Sequence, residues 1–144
     1  MILFFDTSAL VKLFSNEPGS DRVKELIINP SNEIWVLELA LIELLSAVYR
    51  KYRNKEIPEE KLEDIQRAIE KQFEFFFVIS VASDIIEESK TLMQNFGKKF
   101  GLRTLDALRV AGWNIVAEAD WQFVSSDLNQ LNVVNQLKYN TIAV

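Results

Sequence analysis

The sequence predicts an α/β domain: a mainly parallel central sheet of about five strands with helices on both faces. Three observations carry that expectation. Short apolar runs rich in β-branched and aromatic residues recur along the chain, each too short for a helix. Between them lie segments with helical periodicity, as crossover connections between parallel strands require. Glycine (4) and proline (3) are scarce, unlike the composition of a turn-rich all-β sandwich. The 144 residues, 49% hydrophobic and 26% charged, suit a single domain over residues 1–144 with a packed core.

Each element has its own local signal. Ile2-Leu3-Phe4-Phe5 is a continuous apolar run stopped by Asp6, and reads as a buried strand. Thr7 or Ser8 caps a helix through about Phe14, which Asn16, Pro18 and Gly19 break. Ser20 caps the next, with Val23, Leu26 and Ile27 at helical spacing before Asn29-Pro30. Ile34-Trp35-Val36 is the second strand. Residues 38–53 form a strong helix, because Leu41, Leu44, Leu45, Val48 and Tyr52 share one face. Pro58 opens another, with Glu59 and Glu60 in a first turn where the helix dipole favours acids. Phe75 to Val81 reads as a buried strand. Ser83 caps a helix to about Phe96, with Gly97 and Gly101 around its end. Thr104 caps an apolar helix to about Ala119, and Trp121 to Ser125 is the fourth strand. After a loop or short helix, Asn140 to Val144 closes the sheet. No repeat, linker or low-complexity segment interrupts this order.

Composition removes several chemistries. Without cysteine there are no disulfides, thiolate zinc sites, iron–sulfur clusters or cysteine nucleophiles. Without histidine there is no Ser-His-Asp triad, imidazole ligand or imidazole base. Catalysis must run on carboxylates, hydroxyls, lysine, arginine, tyrosine or a metal held by oxygen. The net charge of −5 and pI of about 4.8 set a mean field that repels phosphate, so a nucleic-acid ligand would need a local basic patch or bound cations. No apolar run is long enough for a membrane span. The N-terminus lacks a basic leader and carries an acid at position 6, so it is not read as a signal peptide, and the expected location is the cytoplasm.

Ligands of open parallel α/β sheets bind outside the carboxyl ends of the strands. Asp6 and Asp127 stand at two such ends. Glu43 lies in LELALIELLSAV, a segment apolar nearly all round, and Asp106 lies in the first turn of TLDALRVAGW. Taken singly, each has an ordinary role open to it. Asp6 could stop a strand, Asp127 could cap a helix, Asp106 could meet the helix dipole, and Glu43 could pair with a surface residue such as Arg50. Together, under this topology, they face one crevice. Clustered carboxylates repel unless protonated or bridged by a cation, and oxygen-only ligands suit Mg²⁺ or Mn²⁺. Such a cluster is suited to metal-assisted phosphodiester hydrolysis, with Thr7, Ser8 and Ser126 able to orient a ligand or a water.

The segments FFDTSALVKLFSNEPGS, LIELLSAV, TLDALRVA and FVSSDLN resemble the PIN domain, and more narrowly the toxin ribonucleases of VapBC-type toxin–antitoxin pairs. The resemblance covers almost the whole chain, in order. It implies a three-layer α/β/α fold, an acidic site binding Mg²⁺ or Mn²⁺, cleavage of RNA, control by a small antitoxin protein, and a homodimer. Its four acids map to Asp6, Glu43, Asp106 and Asp127. Its hydroxyls map to Thr7 or Ser8 and to Ser126 or Ser125. Many relatives carry histidine where this chain has Arg109, which leaves that residue as a phosphate contact or a surface residue. Arg103, Lys98, Lys99 and Arg109, with the run Arg50 to Lys55, could guide RNA, although the Arg50 run also suits a solvated helix end. Asn129 is either an extra ligand or a turn residue.

Two other functions fit the pattern: a non-catalytic PIN-like binding module, and a receiver-like domain with an acidic Mg²⁺ pocket. A stand-alone PIN nuclease without antitoxin is a further variant. Two physical expectations also follow. The crowded acids should repel in the metal-free protein, so at least one has a raised pKa and Asp106→Asn costs no stability. The apolar residues Leu10, Phe14, Leu41, Leu45, Val48 and Tyr52 exceed the needs of one sheet face, so part of that surface could receive an antitoxin helix or a second copy, while plain core is an equal alternative for each residue.

Overall fold

The computed structural model describes residues 1–144. Five strands, β1 (Ile2–Phe5), β2 (Glu33–Leu37), β3 (Phe77–Ile79), β4 (Gln122–Ser125) and β5 (Asn140–Ala143), form one sheet in the order β3-β2-β1-β4-β5. Every pairing is parallel, with Leu3 opposite Ile34 on one side and Gln122 on the other. Seven helices connect or follow them: α1 (Thr7–Leu10), α2 (Ser20–Ile28), α3 (Leu39–Arg53), α4 (Glu59–Phe73), α5 (Ser83–Phe100), α6 (Thr104–Val116) and α7 (Leu128–Gln136).

The apolar strands are apolar because both faces are covered. Leu3, Phe5, Ile34, Val36 and Val124 pack beneath α2, α3 and α4 with Val23, Leu44, Val48 and Ile69. Alternate residues Phe4, Leu37 and Phe123 pack on the other face with Ile85, Leu92, Val110, Trp113 and Val134 from α5, α6 and α7. These two cores on opposite faces are the outer interfaces of a three-layer α/β/α arrangement.

Several boundaries differ from expectation for physical reasons. The helix after Asp6 keeps α geometry for one turn only, and Val11–Phe14 tightens into a 3₁₀ turn. Ser20 is the first residue of α2 rather than its cap, and its hydroxyl bonds the Ser15 carbonyl instead. Gly19 holds the cap position at φ 93°, where a Cβ would lie 2.7 Å from the Val144 carbonyl carbon. β3 is shorter than its apolar run and is not buried. It is an edge strand paired only with β2, and Phe77 and Val78 stay about half exposed. α5 passes through Gly97 and stops at Gly101, which adopts the left-handed conformation. α6 is capped by Arg103 rather than Thr104, and it ends at Val116, short of Ala119.

Two of the six residues expected to line a partner surface are core residues. Leu10 and Val48 are buried, and Phe14 and Leu41 pack partly buried against the same core. No helix is long and apolar enough to cross a membrane.

Candidate active site

The chain leaves β1 toward β2 and returns to β4 on the opposite side of β1. The carboxyl ends of β1 and β4 therefore flank the point where strand order reverses, where open α/β sheets bind ligands. Asp6 follows β1 directly and Asp127 lies two residues beyond β4. An open cleft of about 450 Å³ lies there, bordered by Thr7, Ser8, Glu43, Arg103, Arg109 and Asp127 among others.

Asp6 is the N-cap of α1 and is almost wholly buried. Its Oδ2 accepts from the Ser8 amide (3.1 Å), the Ser8 hydroxyl and the Ser125 hydroxyl (3.0 Å). Its Oδ1 has no hydrogen-bond donor. Hydroxyls tie this turn to the end of β4. Ser8 Oγ accepts from the Ser126 amide, Ser126 Oγ donates to the Ser8 carbonyl, and Ser125 Oγ accepts from the Asp127 amide. Asp127 Oδ1 caps α7 by accepting from Asn129 N (2.8 Å) and Gln130 N (3.3 Å), and its Oδ2 lies 3.8 Å from Arg103 Nη2.

Asp106 sits at the third position of α6, buried. Its Oδ2 accepts from the backbone and side-chain nitrogens of Arg103, and its Oδ1 accepts from Arg109 Nη1 (3.1 Å) and Gln130 Nε2 (3.3 Å). Glu43 accepts from the Thr7 hydroxyl and from Arg109 Nε (3.2 Å) and Nη2.

Arg109 thus stands at the centre of the acids, its side chain only 13% exposed. Its Nε lies 3.1 Å from Asp6 Oδ1, outside hydrogen-bond angle, while its other contacts reach Glu43 and Asp106. Burial alone would lower its pKa, but the charges of Asp6, Glu43 and Asp106 outweigh that and raise it. Burial raises the Asp6 pKa above the usual carboxylate value, and Arg109 with the Ser8 and Ser125 hydrogen bonds offsets only part of the rise. The expected raised pKa is present at Asp6, but loss of hydration causes it, not crowding of unpaired acids. Nor is Asp106 an unpaired acid, so the expectation that Asp106→Asn costs nothing does not survive its four donors.

With the guanidinium in place, no three acids are grouped as a ready ion-holding cluster. The donor chemistry still fits a hard divalent cation. Every candidate ligand is oxygen, one buried oxygen of Asp6 lacks a donor, and a positive group is already drawn between three carboxylates.

Asp6, Glu43 and Asp106 meet around one guanidinium, and Asp127 borders the same cleft. Thr7, Ser8, Ser125 and Ser126 form the hydroxyl lattice among them. Arg103 is on the rim and exposed, and Arg50 also borders the cleft. Lys99 is exposed and lies over the Phe100 ring, not on the cleft lining. Asn129 serves through its backbone amide in the α7 cap. Arg109 is not a solvated surface residue, and three of its N–H groups are engaged by Glu43 and Asp106. The i, i+3 spacing of Asp106 and Arg109 signals their pairing, but the sequence carries no sign of the contacts to Asp6 and Glu43. Gln130 was not anticipated at all, since a glutamine two residues into a helix has no distinguishing local pattern. It is fully buried and braces Asp106.

No curated protein matches the chain. Solved structures do. A VapBC2 structure from Rickettsia felis, described as bound to a DNA fragment from its promoter, superposes with a TM-score of 0.69 at 16% identity, covering 100% of this chain and 99% of that one. FitAcB from Neisseria gonorrhoeae gives 0.70 at 14% identity, covering 99% and 96%. Mycobacterium tuberculosis VapC20, described as a sarcin–ricin-loop-cleaving toxin, gives 0.68 at 14% identity, covering 90% and 93%. At these identities the likeness establishes the fold. The PIN domain family model, in contrast, matches residues 3–133, nearly the full chain. The chain belongs to the PIN domain family.

Proposed function

We propose that this protein is a Mg²⁺- or Mn²⁺-dependent endoribonuclease, the toxin of a type II toxin–antitoxin pair. The observation that carries the reading is that Asp6, Glu43 and Asp106 surround one guanidinium beside a cleft that Glu43 and Asp127 line, at the switch point of a PIN fold. Those four acids would hold the cation. Once bound, it supplies Lewis-acid stabilisation of charge on the scissile phosphate and an acidified water as nucleophile. That chemistry needs no imidazole, in keeping with a histidine-free chain.

The protein's own groups set the geometry. Ser8 and Ser125 fix Asp6 Oδ2 and leave Oδ1 facing Arg109. Thr7 orients Glu43, and Gln130 with Arg103 orients Asp106. Arg103 and Arg50 on the rim can hold flanking RNA phosphates against the protein's acidic mean field. An antitoxin protein as partner and a homodimer are part of this proposal. The support is similarity to a structure named as a toxin–antitoxin complex from Klebsiella pneumoniae, together with exposed Ile42 and Leu105, the latter on the cleft lining. The site of action would be the cytoplasm.

One observation favours the non-catalytic alternative: a guanidinium that already neutralises the acids. A cleavage assay separates the two. Purified protein is expected to cut RNA with Mg²⁺ or Mn²⁺, to stop with EDTA, and to lose activity in Asp6→Asn while circular dichroism stays unchanged. No cleavage under any divalent ion, or unchanged turnover in Asp6→Asn, would overturn the nuclease reading. A stable complex on co-expression with a short adjacent reading frame is expected of a toxin. Its absence would leave a stand-alone nuclease.

A further inference from the structure

We infer that Arg109 is a built-in competitor for the divalent cation. Its guanidinium lies among Asp6, Glu43 and Asp106 where the cation would sit, has to move aside for an ion to bind, and so sets the ion concentration at which the site loads. The inference rests on the reading of Asp6, Glu43 and Asp106 as cation ligands.

The geometry excludes the simpler uses of an arginine. A phosphate-binding arginine presents a free fork of N–H groups. Here three of the five N–H groups are engaged by acids: Nε donates to Glu43 Oε2 at 3.2 Å, Nη1 donates to Asp106 Oδ1 at 3.1 Å, and Nη2 donates to Glu43 Oε1. A surface arginine would be solvated, but this one is 13% exposed. What remains is a counter-ion. A guanidinium and a dication set among the same three carboxylates compete, because like charges at ~4 Å repel strongly and both draw on the same oxygens.

The structure also provides an exit. Arg109 lines the open cleft together with Ser46 and Arg50, so open space lies beside the side chain. The orphaned Asp6 Oδ1 shows that the guanidinium fills the space without satisfying every oxygen in it. Loading is therefore an exchange of one cation for another. The apparent dissociation constant for the metal equals the intrinsic one divided by the fraction of protein whose arginine is out. A fraction of roughly one in a hundred weakens apparent affinity about a hundredfold.

The test uses metal-free full-length protein in two experiments. Titration calorimetry compares Mn²⁺ binding to wild type and to Arg109→Ala, with at least tenfold tighter binding expected in the variant. Nitrogen–proton NMR then follows the Arg109 Nε–H of wild type during Mg²⁺ addition. That resonance is expected to be protected without metal and to shift or vanish in proportion to site occupancy. The NMR arm needs no variant and stands if Arg109→Ala does not fold. It also separates displacement from a simple change in local charge. Equal Mn²⁺ affinity in the two proteins, or an Nε–H signal unmoved at saturating Mg²⁺, overturns the inference while leaving the metal site standing. If neither protein binds a divalent ion, the metal reading itself fails and the inference fails with it.

Discussion

Asp6 places a carboxyl group in a nearly waterless position, and burial, which disfavours its charged form, raises its pKa. An acid whose folded pKa lies above its unfolded value binds more protons folded than unfolded, so its contribution to stability grows as pH falls from neutral through the folded pKa and levels off below 3.8. Asn does not titrate. Denaturant-derived stabilities of wild type and Asp6→Asn between neutral pH and pH 4 are expected to diverge in favour of wild type on acidification. Parallel curves would mean Asp6 is not held up by burial. Asp106 gives the contrasting case. It is buried, carries four donors and pairs with two arginines, so Asp106→Asn breaks a buried charge pair and leaves donors facing an amide. Its metal-free stability is expected to fall by roughly 3 kcal/mol, the low end for breaking such a pair, as read by urea unfolding.

Two functions of one side chain can be separated at the level of the helix. Asp127 caps α7 through two backbone amides while bordering the cleft. Asp127→Ala is expected to lose about 1 kcal/mol from the missing cap, and Asp127→Ser to recover most of it. On the proposed function, neither restores cleavage, and a serine variant that cleaves like wild type would make Asp127 a cap alone. The ordinary and functional readings of this acid are therefore both visible in its sequence position, and they are not exclusive. The elements most legible in the sequence were those whose periodicity reports burial directly: β1, α3 and α6 stand within a residue or two of expectation at their starts. β3 was misread because an apolar run cannot say whether its second neighbour exists. Phe77 is a strand residue on an open edge, stacked at 5.0 Å on Trp35 rather than enclosed. Of the site, acids at strand ends could be found from pattern and topology. Arg109 and Gln130 could not, because their partners come from elements up to 103 residues away.

Across the whole molecule, stability is divided between two cores on opposite sides of a thin sheet. Trp113 anchors one of them, edge-on to Phe4, Phe123 and Tyr139. Trp113→Ala is expected to cost about 3–5 kcal/mol. Trp113→Phe should cost much less, because the indole N–H it removes has no partner and the ring packing is largely kept. Equal losses in urea unfolding would show that the N–H is satisfied after all. The all-parallel strand order also has a temporal meaning. Asp6 is made among the first residues, but Arg109 and Ser125, which hold its two oxygens, follow more than a hundred residues later. β1 has no partner on the site side until β4 exists, so the cleft closes only by a long-range pairing of the slow kind. A growing chain therefore carries Asp6 long before the residues that complete its pocket have been made.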